Sequence, residues 1–435
     1  RKSSKMFKQE EKQTMKKRNL AVLMAVGMVA AMAVPAHAEG ESLRLVNGKI
    51  EVDAQLKKLA EMYEAETGVH VEIESMGGGI DIQGTLKGMY QGDNMPDIFV
   101  NGGSTDFANW QGLLVDMADQ AWAADTDAAY VNEEGTIGFP YTTEAIGLAY
   151  NKSILDAAGV DPATLTSPSA IEEAFATIDG KKEELGIDAV VGYCAEAVSL
   201  YWSTGNHVFA NYLDGGLARD DSTYFDMLND GGKTDPDRLA DFSHFVGLLN
   251  QYSDPALLVS GTYDQQILNF ASGKYAFVTQ GSWIGATMTS DDKDAYEAAG
   301  SFECGMVPYA FQDGMETILT NSPSWWAVFN NDNAEASKAF LQWCSEAEAQ
   351  EVLVMEAGFV SPFKSCEFVA NDPFAQTISD YVAAGKTSAW HWLGMKEGIA
   401  QNCTGQLFAD YAQGNLDETS FATVLAQQIE NYYAN

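Results

Sequence analysis

Carboxylates and indoles are the side chains best supplied to do chemistry in this chain. Acidic residues number 62 against 25 Lys and Arg, a formal net charge of −37 over 435 residues. An ionised carboxylate accepts two or more strong hydrogen bonds, which suits a partner rich in hydroxyl groups. An indole presents a broad apolar face with one polar edge and stacks on weakly apolar C–H surfaces. Trp283 follows Gly281-Ser282, a turn that lifts its ring off the preceding strand. Trp325 and Trp326 are adjacent, and in extended backbone one ring faces the core and the other a cleft, because neighbours alternate. Tyr201-Trp202 and Trp390-His391-Trp392 form two more aromatic clusters, where packing accounts for at least half of the rings. Bond-making signatures are missing. There is no Gly-x-x-x-x-Gly-Lys-Ser/Thr, no Gly-x-Ser-x-Gly and no His-Glu-x-x-His. The five cysteines, Cys194, Cys304, Cys344, Cys366 and Cys403, form no Cys-x-x-Cys, which argues against a zinc or redox centre.

The elements that must hold these residues read as an open α/β unit. Leu43–Asn47 alternates as a strand, Asp53–Glu66 carries Leu56, Leu59, Ala60 and Tyr63 at helical spacing, and Val69–Ile73 alternates again. Gly77, Gly78 and Gly79 open a loop before a helix around Leu86–Tyr90, and Ile98–Val100 is an apolar strand. Strand, helix, strand, helix, strand is the βαβ pattern, and such sheets bind ligands beyond the carboxyl ends of their strands. The loops holding Asn47 and Lys49, then Glu74, then Asn101, Ser104 and Asp106 are therefore the first places to look. The middle of the chain is mostly helical, with short strands at Ala276–Thr279 and Met306–Pro308. Ala334–Ala349 and about Thr419–Tyr433 read as amphipathic helices.

The length favours two domains over one core. The strong negative charge argues against nucleic acid or an anionic membrane, both of which are read with Lys and Arg. Near the start, Lys16-Lys17-Arg18 precedes an apolar run from Leu20 to Val34 and then Pro35-Ala36-His37-Ala38. That run falls short of the roughly 20 residues of a membrane span, so residues 1–38 read as a signal peptide cleaved after Ala38. No Cys follows at the cleavage point, so a lipid anchor there is not expected. The expectation is an exported protein, periplasmic or at the cell surface.

Five blocks in a fixed order carry a resemblance. They are Leu45–Lys49 with the helix ending Tyr63–Val69, and Met95–Phe99 with Gly112–Asp116 behind it. Gly138–Ala145 with Gly147–Lys152 comes third. Phe270–Lys274 with Gly281–Trp283, and Ala336–Trp343 with Gly358–Pro362, complete the set. In this order the chain resembles the family 1 extracellular solute-binding proteins of carbohydrate ABC importers. The resemblance implies an α/β, two-lobe, periplasmic-binding-protein-like (type II) fold with an interlobe hinge and a ligand cleft. Its first lobe would comprise residues 39–145 and 308–370, and its second 146–307 and 371–435. Crossovers are expected near Tyr141–Asn151 and Met306–Ile318.

The same resemblance implies a carbohydrate ligand, membrane permease subunits as partners, no cofactor and a monomer. It makes Glu144 a ligand carboxylate at the lobe junction and Trp283 a stacking ring. It places Asn47 and Lys49 among polar hydroxyl contacts, Lys49 standing where maltose binders of the family have a carboxylate. Tyr141, at the first crossover, and Trp202, in the second lobe, join the expected set with Trp325 and Trp326. The competing expectation is an exported glycoside hydrolase with a carboxylate pair, which composition alone leaves open.

Overall fold

A computed structural model describes residues 42–77, 80–126 and 128–435. The expected signal segment, and Gly78 and Gly79 of the glycine loop, lie outside the described residues. In chain order the first strands are β1 (Ser42–Asn47), β2 (His70–Ser75), β3 (Ile98–Asn101), β4 (Tyr130–Asn132) and β5 (Gly135–Pro140). They are followed by β6 (Glu144–Ile146), β7 (Leu148–Asn151), β8 (Ala189–Gly192), β9 (Tyr275–Val278) and β10 (Cys304–Val307). The last are β11 (Ile318–Asn321), β12 (Trp325–Val328) and β13 (Thr387–Ser388).

Two separate sheets define two lobes. In the first, the order is β2-β1-β3-β12-β5-β4, with β1 parallel to β2 and β3, and β12 antiparallel to β3 and β5. All four residues of β3 are buried, as a strand covered on both faces requires. Helix Asp53–Thr67 packs Leu56, Leu59, Ala60 and Tyr63 against that sheet and stops at Gly68, whose φ of 79° is left-handed. The second sheet runs β10-β7-β9-β8 and lies among helices such as Pro168–Gly180, Pro236–Tyr252 and Glu418–Ala434. Between the two sits a three-stranded sheet, β13-β11-β6.

The chain passes between lobes at that small sheet. It leaves β5 at Pro140, crosses through Tyr141–Thr143 and enters β6, which pairs antiparallel with β11. It returns through Ser322-Pro323-Ser324 into β12, and the hydroxyls of Tyr141 and Ser324 tie the two crossings together. The return is later in sequence than the expected Met306–Ile318. Tyr309, Ala310, Phe311 and Met315 are apolar and pack with Phe242 and Phe245 in the second-lobe core, so the chain must finish that burial before it crosses. A third passage follows Val360, which bridges Thr143, and the chain then re-enters the second-lobe core at Phe374.

One long helix of the sequence reading is two in the structure, Ala334–Cys344 and Ala347–Glu351. The Ser345 hydroxyl donates to the Gln342 carbonyl at 2.6 Å, and Glu346 takes extended dihedrals. A serine side chain thus competes for the helical acceptor where the helix ends.

Candidate functional site

The floor of the interlobe cleft is built from the loop after β1. Asn47 is fully buried, and its amide donates to the Lys49 carbonyl at 2.7 Å and the Ser75 hydroxyl at 3.2 Å. That turns the loop so that Lys49 reaches across to Glu144 on β6, with Glu51 3.2 Å from the same ammonium. Burial alone would lower the lysine, but the Glu144 and Glu51 carboxylates override it and hold Lys49 well above its ordinary value. The floor is therefore one ammonium between two carboxylates, with oxygen lone pairs in excess of donors.

The second lobe supplies an aromatic wall. Trp283 lies back over Gly281, where any side chain would collide with the indole, so the glycine permits that ring position. Trp202 anchors its own indole N–H on the Ser199 carbonyl at 3.0 Å and sits 5.6 Å from Tyr263, centroid to centroid. His207 stands at the centre of four indoles, 4.7 Å from Trp283, 4.9 Å from Trp392, 5.3 Å from Trp202 and 6.5 Å from Trp390. Burial, reinforced by the charge of Lys49, pushes the imidazole down to about 3, so it is neutral at ordinary pH. His207 rides on a π-helical turn, Ser203–Val208, which packs on a second such turn, Ala400–Thr404. Turns of this kind concentrate at functional sites.

Floor and wall enclose a chamber of about 700 Å³ lined by both lobes. Pro323 and Trp392 also line a second chamber of about 640 Å³, where Asp81, Gln83, Asp106, Tyr201 and Asn206 are found. The combined cleft offers rings for apolar faces and carboxylates and amides for hydroxyl groups.

Of the residues singled out from the sequence, Lys49, Tyr141, Glu144, Trp202 and Trp283 meet in the first chamber. Asp106 lines the second and accepts from the Gly102 N–H at 2.7 Å, and burial raises its carboxyl. Ser104 is exposed at the start of the same short helix, Ser104–Ala108, which stands where the sequence reading expected a loop. Asn47 and Asn101 lie behind the cleft as buried scaffolding, Asn101 accepting from Gln83 at 3.2 Å. Glu74 is outside both chambers, paired with Arg44 at 3.4 Å. Trp325 and Trp326 do alternate across β12, but both faces of that central strand are covered, and neither ring lines the cleft. Trp326 stacks between Phe139 and Tyr141, and Trp325 packs on Phe107 and Tyr130. Sequence reasoning did not single out Glu51, His207 or Tyr263, and read Trp390 and Trp392 mainly as packing. A lone histidine in a helical stretch carries no signal, because the π-helical turn that aims it is set by tertiary contacts.

Residues 58–416 match the family described as bacterial extracellular solute-binding protein. The chain belongs to this family. A curated member-like relative, the xylose/arabinose-binding protein of Haloferax volcanii, is 23% identical over 319 residues, 68% of this chain. The match spans 64% of the length of that relative. A chitin oligosaccharide binding protein of known structure has a TM-score of 0.73 at 18% identity, covering 92% of this chain and 100% of its own. A sugar transporter protein of Bacillus licheniformis, solved with stachyose, has a TM-score of 0.68 at 16% identity, covering 90% and 99%. These likenesses give this solute-binding protein the two-lobe fold. Among the described residues no helix is long and apolar enough to cross a membrane.

Proposed function

We propose that this solute-binding protein captures a sugar, an oligosaccharide in preference to a single ring, between its lobes and hands it intact to a membrane permease of an ABC importer. The observation that carries the reading is the 700 Å³ chamber, with a carboxylate-rich floor from the first lobe and the junction and an indole wall from the second. Its single ammonium is already paired, so the floor chiefly accepts hydrogen bonds, as a neutral polyol needs. Glu144, Glu51 and Trp283 are the contacts assigned to hydroxyls and to a ring face. The second chamber beyond Trp392 supports a longer ligand, and the sugars named for the relatives point to the same class. Contacts from both lobes favour a closed state, so ligand shifts a population and breaks no bond. The export expected of the family supports a step outside the cytoplasm, and in this reading the protein acts there as a monomer without a cofactor.

A panel of pentoses, hexoses and oligosaccharides, read by tryptophan fluorescence with chromatography of the same samples, tests the proposal. Saturable quenching with the sugar recovered unchanged is expected. No response to any sugar, or release of shorter sugars, overturns it.

A further inference from the structure

The floor of the first chamber is short of hydrogen-bond donors. Lys49 is held by Glu51 and Glu144, and the Tyr141 hydroxyl is held by Ser324. A polyol also presents acceptors, ring and linkage oxygens among them, and these need N–H or O–H groups. His207 lines the chamber and its ring makes no hydrogen bond to any described residue. Nδ1 is sealed among the indoles without a partner, which leaves Nε2 as the edge toward the chamber. A buried N–H without a partner is disfavoured more strongly than a buried lone pair, so the proton belongs on Nε2. Nearly parallel stacking is absent; Trp202 and Trp392 meet the imidazole edge to face, at 70° and 65°, and fix its plane.

We propose that His207 is a ligand-contacting residue whose neutral imidazole donates an Nε2–H hydrogen bond to an oxygen of the sugar. The inference rests on the sugar reading above and adds to it the donor that the carboxylate floor lacks. The ligand class it specifies is an uncharged one with an acceptor oxygen at the indole cluster. A cationic group has no use for that donor.

The test uses the full chain and the sugar from the panel that binds wild type most tightly. His207→Phe keeps a planar ring without a donor, and His207→Gln places an amide N–H near Nε2. His207→Phe should weaken binding about tenfold and His207→Gln no more than about threefold, as expected for one hydrogen bond made in a closed site. Unfolding temperatures run alongside, and a ¹⁵N spectrum of the wild-type histidines should show the Nε2–H tautomer without titration between about pH 5 and 8. Equal affinity of wild type and His207→Phe, or an Nδ1–H tautomer, overturns the inference and leaves the sugar reading standing. A wild type that binds no sugar overturns the sugar reading and this inference with it. Should His207→Phe not fold, the tautomer and the affinity of His207→Gln decide.

Discussion

At the residue scale, the cleft depends on a charge arrangement that burial makes sensitive to deletion. Lys49 and Glu144 keep 12% and 8% of their side-chain surface, so removing the lysine strands a carboxylate away from water. Lys49→Met should destabilise the protein by about 3 kcal/mol, and adding Glu144→Gln should restore much of that loss. Urea unfolding of the two variants checks this, and equal loss in both would show that the pair is not what holds the loop. The tryptophans divide along the same line. Trp283 is only part-buried, so Trp283→Ala should weaken sugar binding at least tenfold with little change in melting temperature. Trp326, 1% exposed between Phe139 and Tyr141, should do the reverse, its alanine variant costing about 3–5 kcal/mol. Calorimetric titration beside thermal unfolding separates the two. Their difference was not legible in the sequence, where Trp283 after a turn and Trp326 in an adjacent pair were both open to a place in the cleft. What sets them apart is that β12 is an inner strand with neighbours on either side, a fact of long-range pairing.

At the element scale, the parts of the site that sequence reading reached mostly adjoin strands. The loops after β1 and β3 follow from alternation and βαβ order, the crossover at Glu144 follows from the family resemblance, and all three lie at the cleft or directly behind it. Two of the parts it did not reach ride on irregular turns: His207 on a π-helical turn, and Trp390 and Trp392 around the short 3₁₀ turn His391–Gly394. Neither has a local pattern, because each is fixed by contact with another element. The tether for the second is His391, whose backbone and ring both bond Asp214 at the end of helix Phe209–Asp214. The hydrogen bond to Asp214 raises the imidazole above its ordinary value despite burial. A raised histidine stabilises the fold fully below about 6.5, and that contribution is lost as pH climbs through its folded value. His207 acts in the opposite sense. Its unfolded form takes a proton below about 6.5 that the folded ring refuses until about 3, so stability falls as pH drops through that window. Melting temperatures across pH 4.5 to 9 should therefore show His391→Gln losing most against wild type at acid pH and least above neutrality. His207→Phe should flatten the acid side. Parallel profiles for all three proteins would refute both assignments.

At the scale of the whole molecule, the lobes also touch through segments other than the crossing strands. Gly103 packs against the Leu393 carbonyl, where a Cβ would come within 2.6 Å, and its φ of 153° is one that other residues rarely adopt. Thr105 donates to the Met395 carbonyl at 3.1 Å, and Lys87 lies 3.4 Å from Glu397. Leu393 itself packs into the aromatic cluster of the first lobe and the main core of the second. These contacts draw the indole wall over the carboxylate floor, so they favour the state in which a ligand meets both. Gly103→Val should push apart the segments carrying Thr105 and Leu393, which line the second chamber, without touching the walls of the first. The expected result is a larger radius of gyration in solution scattering and an affinity for sugar reduced by the fall in closed population, with Trp283 still quenched at saturation. Because the bound state still assembles the same contacts, enough sugar should restore the wild-type dimensions. A variant that scatters and binds like wild type would mean that closure is set at the crossing strands alone.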